Sequence, residues 1–271
     1  MGKQGKIYNT KIIESGERLE IYKYQGYITT GGKSNNSEGR RGKADLTKEQ
    51  KEENSSRRRK ETLVTARNNI IRLISCNSDD LKLFITLTYK DNFQDLKKSK
   101  EHLKKFFKKL SQDYKNLKYV YVLEYQERGA IHYHILTNIE INIKTSRSNE
   151  LKTKEQKDLE NYFRVHYWSS RGWVDIRALD TEGIKVISKY VSSYLVEDLF
   201  KLDLKGNRAY GYSKNLNKPI ISTIESKLTI EDLIDLENYS LQYTSSYKRI
   251  YTDKTGMERE SNVNYFDYLK E

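Results

Sequence analysis

The chain has 271 residues, 36% of them hydrophobic and 32% charged, which suits one sizeable domain with appendages or two small ones. Lys and Arg exceed Asp and Glu by 12, pointing to a polyanionic partner; the 22 Tyr and 7 Phe among those charges favour single-stranded nucleic acid over a membrane surface. A single cysteine, Cys76, excludes an internal disulfide, and the longest apolar runs are far too short to span a bilayer, so a cytoplasmic chain with no membrane partner is expected.

Residues 7–30 read as a short hairpin turning near Ser15-Gly16-Glu17, followed by extended chain. Residues 31–56 are polar and charged and read largely as a flexible loop. Within this region Gly26–Ser34 resembles a phosphate-binding loop, but its glycines stand one residue too far apart. No helical pattern comes directly after it to present an N-terminus to a phosphate, which argues against a nucleotide site. Thr47-x-x-Gln50 is a capping box that opens a helical pattern through Arg57, Arg58 and Arg59 to Leu63, Ala66, Ile70, Leu73 and Ile74. The three arginines are candidate phosphate contacts.

Leu83–Tyr89 reads as a buried strand. A helix over about 96–114 comes next, with Leu96, Leu103, Phe106, Phe107 and Leu110 on one face and seven lysines on the others. His102 on this helix reads as structural or exposed.

After it lies Tyr119–Asn138, a β-hairpin rich in β-branched and aromatic residues. Glu127-Arg128-Gly129 fits a three-residue loop with Gly129 at the positive-φ position, closed by Gln126 and Ala130. That register sets Glu124 opposite His132 and Val122 opposite His134. Alternation then puts both histidines on one face and Tyr133 on the other. Two imidazoles and a carboxylate converging there form a candidate site for a catalytic divalent metal.

A polar stretch over 144–154 leads into a helix over about 155–168, where Leu159, Phe163 and His166 share a face and His166 reads as packed. Trp173–Leu179 is a further strand. The order β-α-β-β-α-β defines an α+β fold of the split βαβ, ferredoxin- or RRM-like kind. It predicts one antiparallel sheet with both helices on one face and Glu124, His132 and His134 on the free face.

Residues 183–199 read as a helix after the last core strand. Its apolar arc of Ile187, Val191, Leu195 and Leu199 centres near Val191; Tyr194 lies about 60° from that centre and Tyr190 about 100°, which leaves Tyr190 freer to reach a substrate. The Tyr-rich segment 241–251 and residues 262–268 can pair as another hairpin that holds the core or grips duplex DNA.

Three of these stretches, in order, resemble the HUH endonucleases, specifically the rolling-circle replication initiator (Rep) proteins of single-stranded-DNA phages and plasmids. Phe84-Ile-Thr-Leu-Thr-Tyr89 looks like the first motif of that family. His132-Tyr133-His134, with Glu124 eight residues upstream, looks like its metal motif, and Tyr190-Val-Ser-Ser-Tyr194 looks like its tyrosine motif. Arg208–Ser213 is similar to the segment beyond the tyrosine motif in those relatives, and the resemblance covers roughly residues 60–220. Ser193 departs from the pattern, because many relatives have Lys just before the second tyrosine; Lys189 or Lys185 is placed to substitute.

The resemblance implies sequence-specific nicking and joining of single-stranded or hairpin origin DNA, with Mg²⁺ or Mn²⁺ on Glu124, His132 and His134. Tyr190 would be the nucleophile, Tyr194 would take a second strand transfer, and Lys189 would assist catalysis. A 5′-phosphotyrosyl link and a priming 3′-OH would result, with a host helicase and polymerase as partners. Candidate DNA contacts are Arg57, Arg58, Arg59, Arg128, Lys185 and Arg208. The expected domains are an N-terminal hairpin with a basic flexible segment (1–60), the endonuclease domain (61–220), and a C-terminal helix and β extension (221–271). The competing readings are a relaxase or transposase of the same superfamily and a non-catalytic single-stranded nucleic-acid-binding domain. An iron oxygenase, whose usual His-x-Asp/Glu pattern is missing here, is disfavoured.

Overall fold

The computed structural model describes residues 6–30, 47–141, 152–180, 208, 210–233, 237–252 and 258–271. The fold is α+β, with two antiparallel five-stranded sheets. It divides into two compact units, Met1–Ser55 with Lys218–Glu271, and Ser56–Asn217. Among the described residues no helix is long and apolar enough to cross a membrane.

In the first unit, β1 (Lys6–Ser15) and β2 (Arg18–Thr30) form the N-terminal hairpin. Gly16 takes the positive φ, 60°, that the two-residue turn requires. β8 (Ile220–Ile224), β9 (Tyr239–Thr252) and β10 (Glu258–Lys270) complete a sheet of order β8-β1-β2-β10-β9. The two chain ends, separate segments in the sequence reading, thus share one sheet, fastened where the Arg18 guanidinium donates to Asp267 at 2.7 Å and the Tyr265 hydroxyl donates to Glu20 at 2.9 Å. The expected C-terminal helix reduces, among the described residues, to Ile230–Leu233, and the rest of that segment is mainly strand. Residues 31–46 lie outside the described residues. The loop expected up to residue 56 is already helical from Lys48, where α1 (Lys48–Ser75) begins directly after Thr47 of the capping box.

In the second unit the order is β3 (Leu83–Tyr89), α2 (Leu96–Asp113), β4 (Tyr119–Tyr125), β5 (Ile131–Thr137), α3 (Lys154–His166) and β6 (Gly172–Ala178). The sheet order β6-β3-β5-β4 is that of the split βαβ fold, and β7 (Tyr210–Tyr212) extends it beside β4. Asp95 caps α2 by accepting from Lys98 N at 3.0 Å, and Thr153 caps α3 by accepting from Gln156 N at 3.2 Å. The buried stripe of α2, Ser99, Leu103, Phe106, Phe107 and Leu110, keeps helical periodicity. Phe107 stacks on Tyr119 of β4 at 3.8 Å, and Ser99 Oγ meets the Tyr133 hydroxyl of β5 at 2.7 Å. α3 buries Gln156 and Phe163; His166, expected to be packed, is exposed and lies against Tyr162. The stripe runs 156–163–167, so a residue at 166 falls outside it. His102 accepts or donates a 3.0 Å hydrogen bond with the Tyr89 hydroxyl and has a structural place.

Candidate metal and DNA site

Gly129 takes φ 84°, Gly129 N donates to Gln126 O at 2.7 Å, and Gln126 N donates to Ala130 O at 2.9 Å. This closes the three-residue loop and fixes the pairing read from the sequence, Glu124 opposite His132 and Val122 opposite His134. β3 lies on the other side of β5, with Thr88 opposite His132 and Thr86 opposite His134. Paired residues point to the same face, so Glu124, His132, His134, Thr86 and Thr88 share one face and Tyr133 stands on the other.

That face is not open in the way the sequence suggests. His132 and His134 are only 8% and 4% exposed. Phe84, Val120, Val122 and Leu136 have the same parity as the histidines in the strand register. They are buried in the core cluster that also includes Leu63, Ile70 and Ile74 of α1. A stripe of apolar residues on a helix shows that it packs, but does not name the sheet face it packs in.

His134 is held from three sides. Its Nε2 contacts the Glu124 carboxylate directly, its Nδ1 lies 3.3 Å from Thr86 Oγ1, and Phe84 stacks parallel to the ring at 5.7 Å. A hydroxyl can donate or accept, so Thr86 can hold the imidazole in either tautomer. His132 differs: its Nε2 is buried and has no hydrogen-bond partner among the described residues. Burial depresses its pKa to about 4; Glu124 opposes that shift, and the charges of His134 and Arg128 add to it. The ring is therefore neutral at pH 7, the form that offers a lone pair.

Among the described residues no group of three or more His, Cys, Asp or Glu side chains is arranged to hold a metal ion. The Glu124 carboxylate closes directly on His134 instead. The donor chemistry nevertheless fits a divalent ion: a carboxylate, an imidazole held by a hydroxyl behind it, and a neutral imidazole with an unpartnered nitrogen.

Arg128 is exposed in the hairpin loop and donates to Gln126 at 3.0 Å; its charge reaches His132. Arg59 is half-buried in α1, whereas the side chains of Arg57 and Arg58 are outside the described residues. Arg208 is exposed, near Tyr121. Lys185, Lys189, Tyr190 and Tyr194 lie outside the described residues. Sequence reasoning missed Thr86 and Phe84 as supports for His134. The alternation of β3 carried half that signal; the β3–β5 register carried the rest.

Residues 82–198 match the family model described as replication-associated protein ORF2/G2P. The match begins at β3 and runs through β6, so it contains every strand that positions Glu124, His132 and His134, and it includes the segment bearing Tyr190 and Tyr194. It supports a replication initiator role for a Rep-like chain, with DNA as the partner. No curated protein and no solved structure matches.

Proposed function

We propose that the chain is an HUH-type endonuclease that nicks and rejoins single-stranded DNA at a replication origin by tyrosine transesterification. The observation that carries this reading is the rung joining Glu124 to His132, with His134 in contact with Glu124, inside the stretch that matches a replication-associated family. Glu124, His132 and His134 would hold Mg²⁺ or Mn²⁺, which when bound polarises the scissile phosphodiester and offsets its charge. Thr86 and Phe84 keep the His134 ring oriented, and burial keeps His132 neutral and ready to ligate.

The tyrosines enter from the sequence. A phenol has an ordinary pKa near 10, so Tyr190 must lose its proton to solvent or a base as its oxygen bonds to phosphorus. The bond from phosphorus to the 3′-oxygen breaks, and that oxygen takes a proton from water. The products are a 5′-phosphotyrosyl link and a free 3′-OH, which a host polymerase extends behind a helicase. The link conserves the phosphodiester, so Tyr194 can repeat the transfer on a second strand without nucleotide hydrolysis. Lys189 and Lys185 would neutralise the phosphate, and Arg57, Arg58, Arg59, Arg128 and Arg208 would bind the strand backbone.

A second reading, a non-catalytic single-stranded DNA-binding domain, is favoured by one observation: the three side chains are not arranged as a ligand set. A denaturing gel separates the two. Wild type, Tyr190→Phe, Tyr194→Phe and His132→Ala are incubated with a single-stranded DNA pool and Mn²⁺. A covalent protein–DNA adduct that disappears on chelation, in His132→Ala and in one tyrosine variant is expected. Binding without an adduct on any strand, the parent replicon's origin included, would leave the second reading.

A further inference from the structure

The rung through Glu124 and His132 continues across the sheet. His132 pairs with Thr88, and Thr88 pairs with Trp173 at the start of β6. Trp173 therefore lies on the same face and the same rung as the candidate site. Neighbouring strands are about 4.8 Å apart, so two steps set its backbone about 10 Å from that of His132.

The indole is 65% exposed, whereas Trp168, the other tryptophan, is fully buried. Among the described residues the Trp173 indole makes no ring contact and no hydrogen bond. Thr88 and Thr86 are its small neighbours on this face. Two and four residues on, Asp175 and Arg177 occupy β6, with Arg177 Nε 3.0 Å from Asp175 Oδ1. An indole this exposed contributes little to the core. It does offer a broad π face, and bases stack on such faces whatever their sequence.

We propose that Trp173 is a stacking platform for an unpaired base of the DNA strand, holding a nucleotide beside the scissile phosphate. The inference rests on the nicking reading for its substrate and adds the residue that grips the strand. The excess of basic residues in the chain favours a polyanionic strand over an apolar peptide as the occupant.

The test uses the full chain and oligo(dT), read by tryptophan emission and by anisotropy of a labelled strand. Wild type should bind with quenching of the exposed Trp173, while buried Trp168 keeps its emission. Trp173→Ala should weaken binding roughly tenfold, the order of one lost base stack, and abolish the quench. Trp173→Phe should retain most of the affinity without the quench, and the unchanged Trp168 signal reports an intact fold in both. Equal affinity of Trp173→Ala and wild type, or binding without quenching, overturns the platform even if the adduct forms. Stacking with no adduct in the gel assay leaves the platform standing and removes the nicking reading. Failure of wild type to bind any single strand removes both.

Discussion

Gly172→Ala tests the seam that joins β6 to the strand beside the candidate site. A Cβ at Gly172 would lie 1.9 Å from Thr88 O, 2.6 Å from Lys90 N and 2.7 Å from Tyr89 C, all of them backbone atoms. Ordinary contact begins near 3.4 Å, so the strands must part by about 1.5 Å at this end. Two hydrogen bonds stand in the way. Lys90 N donates to Arg171 O at 2.9 Å, and Trp168 Nε1 donates to Thr88 O at 3.1 Å. Losing both costs about 1–3 kcal/mol, and the overpacking adds about 1–3 kcal/mol. The reduced freedom of the unfolded chain returns less than about 1 kcal/mol. A net loss of about 3 kcal/mol lowers Tm by roughly 10 °C for a unit of this size. Thermal unfolding followed by tryptophan emission reads this unit alone, because both tryptophans lie within Ser56–Asn217. Gly211→Ala is the internal comparison. Its Cβ meets Tyr121 ring and hydroxyl atoms at 2.5–2.7 Å, a side chain that can turn aside, so its loss should be clearly smaller. A Gly172→Ala midpoint within about 2 °C of wild type, or a Gly211→Ala loss as large, would refute the reasoning.

Two more outcomes are expected of the same unit. Tyr133→Phe removes the 2.7 Å bond to Ser99 Oγ and leaves that hydroxyl its 3.2 Å bond from Tyr89; urea denaturation should show a loss of about 1 kcal/mol, and no change at all would mean the bond is idle. Burial alone would raise the Asp175 pKa, but hydrogen bonding from Lys152 and the charge and bonding of Arg177 outweigh it, so the folded value lies below the ordinary one. A lowered folded pKa gives stability that is complete above the unfolded value, near 3.9, and lost as pH falls through the folded value. Wild-type stability should therefore fall more steeply than that of Asp175→Asn below about pH 4, and parallel curves would exclude the effect.

The elements that could be read from the sequence are those whose signals are local. The hairpin carries its own register in Gly129 and in the alternation from Tyr119 to Thr137, so Glu124 and His132 could be paired from the residues alone. The β-α-β-β-α-β order gives the sheet order because few topologies fit it. The features that escaped were decided by distant chain. β7 has three residues and pairs with β4 from about ninety positions away, and β8 reaches β1 across most of the sequence. Short strands have too few residues for a period to show. The face of the sheet that carries the histidines looked free because both helices of the β-α-β-β-α-β unit were assigned to its reverse. Strand alternation separates two faces but does not say which of them is covered, so the burial of His132 could not be read from the residues.

That burial has a consequence for the site. β5 lies at the centre of its sheet, and all seven of its residues are buried. Tyr133 is tied to α2 through Ser99, so the core on one side fixes the backbone between the two histidines that face the other. A buried polar atom without a partner costs about 1–3 kcal/mol, and among the described residues His132 Nε2 has none. An apolar residue at that position would avoid the cost. Burial also keeps the ring neutral, and a neutral imidazole carries a lone pair on one of its two nitrogens. A carboxylate repels a phosphate and attracts a cation, and an imidazole lone pair can join it as a ligand. On the nicking reading a cation would stand between these side chains and the anionic strand, and the basic side chains and the exposed indole on the same rung would supply the rest of the grip.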